Sequence, residues 1–175
     1  KGEEDTQIMV LGHYKTILTY IYEAIKHRGI ATVGYYVGGM KEKDLKKSEG
    51  KKIIIATYAM AEEGLDIKTL TTLVMATPKS DVTQAVGRIL RKKRKESVVV
   101  DIVDPHIIFQ KQYMKRKRFY KKQNFQLKET DMEGYYKDEW EVKLTNKKGT
   151  KKSTKKNTKS KNPFLNGVCL IKDDD

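Results

Sequence analysis

The sequence predicts an α/β fold, a parallel sheet flanked by helices on both faces, and three observations lead to it. Between Gln7 and Asp104 short apolar runs alternate with amphipathic ones, the runs are rich in β-branched residues, and the links between them are short. A continuously apolar run suits a strand buried on both faces, the usual situation in a parallel sheet. Strand and helix in strict alternation specify βαβ units with right-handed crossovers.

The strands are expected at "IMVL" (Ile8 to Leu11), "ATVGYYV" (Ala31 to Val37), "KIIIAT" (Lys52 to Thr57), "LTTLVMAT" (Leu70 to Thr77) and "SVVVDIV" (Ser97 to Val103). Between the first two, "HYKTILTYIYEAIKHRG" repeats Ile17, Ile21, Ala24 and Ile25 at helical spacing, and Gly29 supplies a stop. A shorter charged helix is expected over Lys41 to Ser48, and another over Asp81 to Arg94. Past Pro105 the pattern changes. His106 to Phe125 fits one long basic helix with Ile108, Phe109, Tyr113 and Tyr120 on an apolar side. Residues 129–144, with Tyr135, Tyr136 and Trp140, read equally as a small hairpin or a structured extension. Between Glu141 and Asp173 there is no acidic residue, and "NKKGTKKSTKKNTKSKNP" is a lysine-rich low-complexity segment that cannot offset its ordering entropy. The expected division is therefore a main domain over 1–104, a basic helix packed on it over 105–128, an extension over 129–144 and a disordered tail over 145–175.

The 175 residues carry a formal charge of +14. Such a surface favours a polyanionic partner, because phosphates are attracted and their counterions released. The charge is uneven: residues 1–104 hold 18 Lys/Arg against 14 Asp/Glu, and residues 105–175 hold 19 against 9. The two regions are expected to do different jobs. Cys169 is the only cysteine, which excludes an internal disulfide and a cysteine zinc site, and His13, His27 and His106 stand without a second ligand type at metal spacing, so no metal site is expected. No apolar run approaches the roughly 20 residues that span a bilayer, and no signal-peptide pattern opens the chain. The sequence reads as a soluble intracellular protein without a membrane partner, cytoplasmic rather than nuclear.

Two constellations carry chemistry. In "TQAVGRILRKKRK" (Thr83 to Lys95), a turn of about 100° per residue puts Gln84, Arg88 and Arg91 within about 60° of one another, with Val82, Val86, Ile89 and Leu90 on the opposite side. The helix would anchor through its apolar residues and hold one amide and two guanidiniums outward, beside Gly87, which permits close approach. Guanidiniums recognise phosphate oxygens in a bidentate manner that lysine does not replace; the competing reading is a solvated polar face. Lys92 to Lys95 is charge without geometry. In "IIIATYAMAEEGLDI" (Ile53 to Ile67), an apolar strand ends in Thr57 and a polar segment leads to Gly64 and Asp66. Ligands of open α/β sheets bind outside the carboxyl ends of the strands, where these three residues fall. Individually, Thr57 could cap a helical turn, Gly64 could supply a positive φ, and Asp66 could be an ordinary loop carboxylate.

Taken together, "IATYAMAEEGLDI" and "LVMATPKSDVTQAVGRILR" resemble motifs V and VI of superfamily 2 helicases, and "IMVLGHYKTI" resembles the motif IV strand of the same lobe. The resemblance covers about residues 7–104 and is nearest to helicases of large DNA viruses and phages, including the poxvirus transcript-release type; "VVVDIVD" followed by the basic "RKRFYKK" is similar to the ends of those proteins. It implies a RecA-like second helicase lobe of the P-loop NTPase fold, with a C-terminal helix and basic tail.

In that family the last motif's arginines reach the γ-phosphate of ATP bound on the first lobe. The resemblance thus makes Arg88 and Arg91 arginine fingers, with Gln84 near the nucleotide or the attacking water. A finger is worth roughly 10³ to 10⁵ in rate in NTPases. It also places Gly64, Asp66 and Gly87 along the nucleotide cleft and Thr57 on a nucleic-acid phosphate. Gly12 and His13 would offer backbone N–H groups to phosphates at a helix N-terminus, and Gly38 and Gly39 would form a loop close to the strand. One departure is that six residues separate Thr57 from Gly64, one more than in the DEAD-box branch, which also has a His where this chain has Gln84.

The chain contains neither a GxxxxGK[ST] loop nor a DExx-type magnesium motif between an apolar strand and a helix. It is therefore expected to be the C-terminal part of a longer enzyme, with ATP and Mg2+ held mainly by an N-terminal lobe and negligible ATPase activity alone. The expected partners are DNA or RNA and that N-terminal lobe, with the chain otherwise monomeric. The alternative function is a noncatalytic basic nucleic-acid-binding module on a RecA-like scaffold.

Overall fold

The five apolar runs become five adjacent parallel strands. The computed structural model describes residues 6–63, 67–89, 97–144 and 168–172, with the backbone alone at 88, 89 and 168–172. In chain order the elements are β1 (Gln7–Gly12), α1 (Lys15–Arg28), β2 (Val33–Tyr36), α2 (Glu42–Glu49), β3 (Ile53–Thr57), α3 (Tyr58–Glu63), β4 (Leu70–Met75), α4 (Thr83–Ile89), β5 (Val98–Val103), α5 (Ile107–Lys122), β6 (Leu127–Asp131), α6 (Met132–Lys137), β7 (Glu141–Leu144) and β8 (Val168–Lys172). The sheet order is β2-β3-β1-β4-β5-β8-β6-β7, with every neighbouring pair parallel except β6 and β7.

Alternate residues of each strand enter different layers. Met9, Leu11, Ile54, Ala56, Leu73, Met75, Val99 and Val103 share one cluster with Ala61 of α3, Val82 and the α4 residues Ala85 and Val86, and Tyr113 and Tyr120 of α5. Val10, Ile53 and Ile55 point to the other face and pack with Leu18, Ile21 and Ile25 of α1. Each fully buried side chain of this size contributes about 1.5–3 kcal/mol of apolar transfer free energy. Right-handed crossovers account for the layering. The chain moves one way along the sheet from β1 to β2, with α1 on one face, and then reverses toward β5, which puts α2 to α5 on the other.

Local signals fix the ends. Gly29, at φ +60°, closes α1 with its N–H on the Lys26 carbonyl at 3.2 Å, as the left-handed C-terminal cap requires. His106 accepts the Ile108 N–H at 3.4 Å and starts α5 one residue later than expected, and Asn124 at φ +60° ends it before Phe125.

Residues 129–144, open in the sequence between a small hairpin and a structured extension, carry the end of β6, then α6 and β7; β7 pairs antiparallel with β6 and so extends the sheet. One expectation about the C-terminal region is corrected. The stretch 145–175 was expected to be disordered throughout, yet Val168–Lys172 form β8, a strand inserted between β5 and β6 and paired in parallel with both. The low-complexity composition stops before "VCLI", whose β-branched and apolar residues suit a doubly paired strand. The lysine-rich segment itself lies outside the described residues.

The sheet carries one charged residue at its centre. Asp101 of β5 is fully buried, and Arg116 of α5, 1% exposed, donates from Nε to its Oδ2 at 2.6 Å, while the Tyr120 hydroxyl donates to the same oxygen at 3.0 Å. Removing one partner of such a pair leaves an uncompensated buried charge. Arg116→Ala is expected to cost about 3–5 kcal/mol in urea unfolding; a loss under about 1 kcal/mol would show that the pair is not holding α5 to the sheet.

Candidate nucleotide and nucleic-acid site

Parallel register brings Gly12, Tyr36, Thr57, Met75 and Val103 to one edge of the sheet, since Gly12 pairs with Thr57, Tyr36 with Ala56, and Met75 with both Leu11 and Asp101. The candidate residues gather at this carboxyl edge in two groups.

The first group lies around β1, β2 and β3. Gly12 is buried where α1 crosses close over the strand, and a Cβ there would sit 2.9 Å from Leu18 Cδ2. This is a packing reason for glycine. The His13 N–H donates to Thr77 Oγ1 at 3.0 Å, its Nε2 lies 3.1 Å from the Pro78 carbonyl, and its ring centroid is 4.7 Å from that of Tyr58. The backbone donor expected of His13 is thus already engaged within the fold. The N-terminus of α1 itself begins two residues later, where Tyr14 provides no side-chain cap, so the unsatisfied N–H groups of its first turn start at Lys15. Gly38 and Gly39 are exposed after β2, Gly39 at φ +88°, and Lys15 Nζ donates to the Gly38 carbonyl at 3.3 Å. Thr57 Oγ1 accepts the Met60 N–H at 3.4 Å, which makes it the cap of α3.

The second group lies on α4. Val82, Ala85 and Val86 are buried against the sheet and α3, whereas Gln84 and Gly87 are exposed. Open space surrounds the position that a Gly87 Cβ would occupy. The amphipathic division read from the sequence is therefore the observed one as far as Gly87. Arg88 is in the last turn of α4, with its side chain outside the description; Gly64, Asp66 and Arg91 lie outside the described residues. Asp81 Oδ1 accepts the Thr83 N–H at 2.9 Å at the start of the helix, and that hydrogen bond holds its carboxyl below the usual carboxylate range.

The loop between β4 and α4 joins these groups, and sequence reasoning missed it. Thr77 takes the His13 N–H on its hydroxyl and the Tyr58 hydroxyl on its carbonyl at 2.7 Å. Lys79 forms an ion pair with Glu62 of α3, stands 4.8 Å over the Tyr58 ring, and through its carbonyl accepts Arg116 Nη1 at 2.7 Å. Burial, reinforced by the Asp101 charge, pushes the Tyr58 phenol well above its ordinary range, so it stays a hydrogen-bond donor. A signal existed: Asp101 interrupts a continuously apolar strand, and Arg116 falls on the Tyr113 and Tyr120 side of α5. A charge in each of two apolar faces calls for a partner. A cavity of about 640 Å³ lies elsewhere, at the far sheet edge between β6, α6 and β7, lined by Glu129, Asp131, Glu141 and Trp140 among others.

A protein of Acanthamoeba polyphaga mimivirus named as a candidate ATP-dependent RNA helicase is 43% identical over 113 residues, which is 63% of this chain and 22% of that protein. The relatives of this chain include proteins of large DNA viruses that are named as ATP-dependent RNA helicases. A similarly named African swine fever virus protein is 28% identical over 133 residues, 70% of this chain and 26% of its own length. The chain spans about a quarter of the length of these relatives. Among solved structures, the C-terminal part of the Fun30 ATPase domain superposes with a TM-score of 0.55 at 11% identity, covering 64% of this chain and 40% of that one. T4 UvsW superposes at 0.53 with 24% identity, covering 69% and 30%. These likenesses establish a RecA-like helicase-domain fold. No family model matches the chain.

The capping role of Thr57 can be separated from any contact with a ligand. Thr57→Ala is expected to lower stability by about 1 kcal/mol and Thr57→Ser to restore it, because only the hydroxyl is needed to cap α3. Equal thermal stability of all three proteins would remove the cap from the account.

Proposed function

We propose that this chain is the C-terminal motor lobe of an ATP-dependent nucleic-acid helicase or translocase. The observation that carries the reading is α4: its apolar side is fixed against the sheet, so the side bearing Gln84 and Gly87 faces outward at the carboxyl edge. On the helix that the sequence predicts over Asp81 to Arg94, Arg88 and Arg91 fall on the same side as Gln84.

In this reading ATP, with Mg2+, is held mainly by a first lobe not contained in this sequence. Gln84, Gly87, Arg88 and Arg91, with Gly64 and Asp66, face that nucleotide when the two lobes close. Positive charge is then aimed at the transferring phosphoryl group, which is where phosphoryl transfer needs it. Closure and reopening around hydrolysis would move the lobe along one strand. The strand would run over the first group, with the α1 N-terminus, Lys15, the Gly38–Gly39 loop and Thr57 contacting phosphates. The support for this half is that these positions, brought from three strands, lie side by side. RNA is the favoured substrate because the viral relatives carry that name.

In the full-length protein, Arg88→Ala is expected to lower nucleic-acid-stimulated ATP turnover by about 10³ or more while leaving nucleic-acid affinity within a few-fold. Unchanged turnover would instead favour a noncatalytic nucleic-acid-binding module.

A further inference from the structure

Helix α5 has a divided set of cations that the motor reading does not use. Its sixteen residues include Lys111, Lys115, Arg116, Lys117, Arg118, Lys121 and Lys122 and no acidic residue. Two of the seven turn toward the fold and are neutralised there: Arg116 by Asp101, and Lys117 by Glu129 at 2.9 Å. The other five are exposed, and none has an acidic partner within 4 Å among the described residues. At about 100° per residue, Lys111, Lys115, Arg118 and Lys122 fall within about 60° of one another, on the side away from Arg116 and Tyr120.

A row of cations on a freely rotating helix would be charge without position. Here the helix cannot rotate. Arg116 and Tyr120 are tied to Asp101, and Tyr113 and Lys117 to Glu129, so four side chains from successive turns hold one face against β5 and β6. The same contacts that bury the inner face fix the direction of the outer one. From Lys111 to Lys122 the row extends about 16 Å, a length that matches the rise of about five phosphates along one strand.

We propose that this outer row of α5 is a second nucleic-acid surface, which takes the sugar-phosphate backbone without regard to sequence. Charge complementarity identifies the partner: four cations in a line, with no acidic partner among the described residues, suit a linear polyanion. The inference rests on the motor reading only for the partner being nucleic acid. The row lies on the β5 and β6 side of the sheet, away from Thr57 and Gly38, and would lengthen the bound stretch beyond the strand carried at the β1–β3 edge.

The test compares three forms of the 175-residue chain: unaltered, Lys111→Gln/Lys115→Gln/Arg118→Gln/Lys122→Gln, and a control with the same charge loss, Lys26→Gln/Arg28→Gln/Lys43→Gln/Lys47→Gln. Binding of a fluorescent single-stranded RNA and its DNA counterpart is measured by anisotropy across a salt series. The α5 variant is expected to bind at least about tenfold more weakly and to flatten the slope of log affinity against log salt by about two to three, with the control changing less than half as much. All altered residues are exposed, so circular dichroism should be unchanged. RNA should also protect Lys111, Lys115 and Lys122 from acylation while leaving Lys43 and Lys47 reactive. Equal losses in both variants, or no loss in the α5 variant, would overturn the proposal and leave the motor reading standing. Failure of the unaltered chain to bind either nucleic acid would overturn both this surface and the strand contact of the motor reading, but not the nucleotide half, which the Arg88→Ala turnover measurement judges separately.

Discussion

The Asp101–Arg116 pair is the constraint on which the rest of the C-terminal half depends. A carboxylate at the centre of a sheet is costly to desolvate, and one hydrogen-bonded guanidinium offsets that cost only in a fixed geometry. Arg116 gives its Nε to Asp101 and its Nη1 to the Lys79 carbonyl, so α5, β5 and the loop that precedes α4 are held to one another. Among the described residues Asp101 Oδ1 and Arg116 Nη2 have no hydrogen-bond partner, which makes the pair expensive rather than generously satisfied. Its contribution is orientation: it sets the rotation of α5 and the position of the loop at once.

That loop is where packing and candidate chemistry meet. Thr77, Pro78 and Lys79 receive contacts from His13 just past β1, from α3 and from α5 within three residues. Immediately afterward Asp81 opens α4 and Val82 anchors it. The exposed side of α4 is therefore located by contacts drawn from the whole carboxyl edge. The reversal of chain direction after β2 brings the ends of β1, β3 and β4 side by side there, as right-handed crossovers require.

Much of the first hundred residues was legible before folding, because the burial of parallel strands leaves continuous apolar runs and the helices between them keep a 3.6-residue period. Gly29 marked a stop, and Val82 and Val86 marked the inward side of α4, where they are found. Legibility failed where a residue had more than one local use. Thr57 at a strand end reads as a ligand contact and as a cap, and its hydroxyl is engaged by Met60. Gly12 and His13 read as phosphate-facing, yet one makes room for Leu18 and the other gives its N–H to Thr77. The strand at Val168–Lys172 was hidden by the composition of the lysine-rich stretch before it.

The sequence by itself determined the α/β class, the order of the main elements and the inward side of α4, because periodicity and β-branching are local properties that a chain carries before it folds; for α1 and α5 it was right only in part, since Ile17 and Ile108 are exposed and Leu18 is buried. Only the tertiary structure decided that β8 enters between β5 and β6, that Asp101 meets Arg116, and that the loop at Thr77–Lys79 gathers three elements. Those are pairings between residues far apart in the chain. Their partners are selected by close packing and by the cost of leaving buried charge unpaired, which no local pattern encodes.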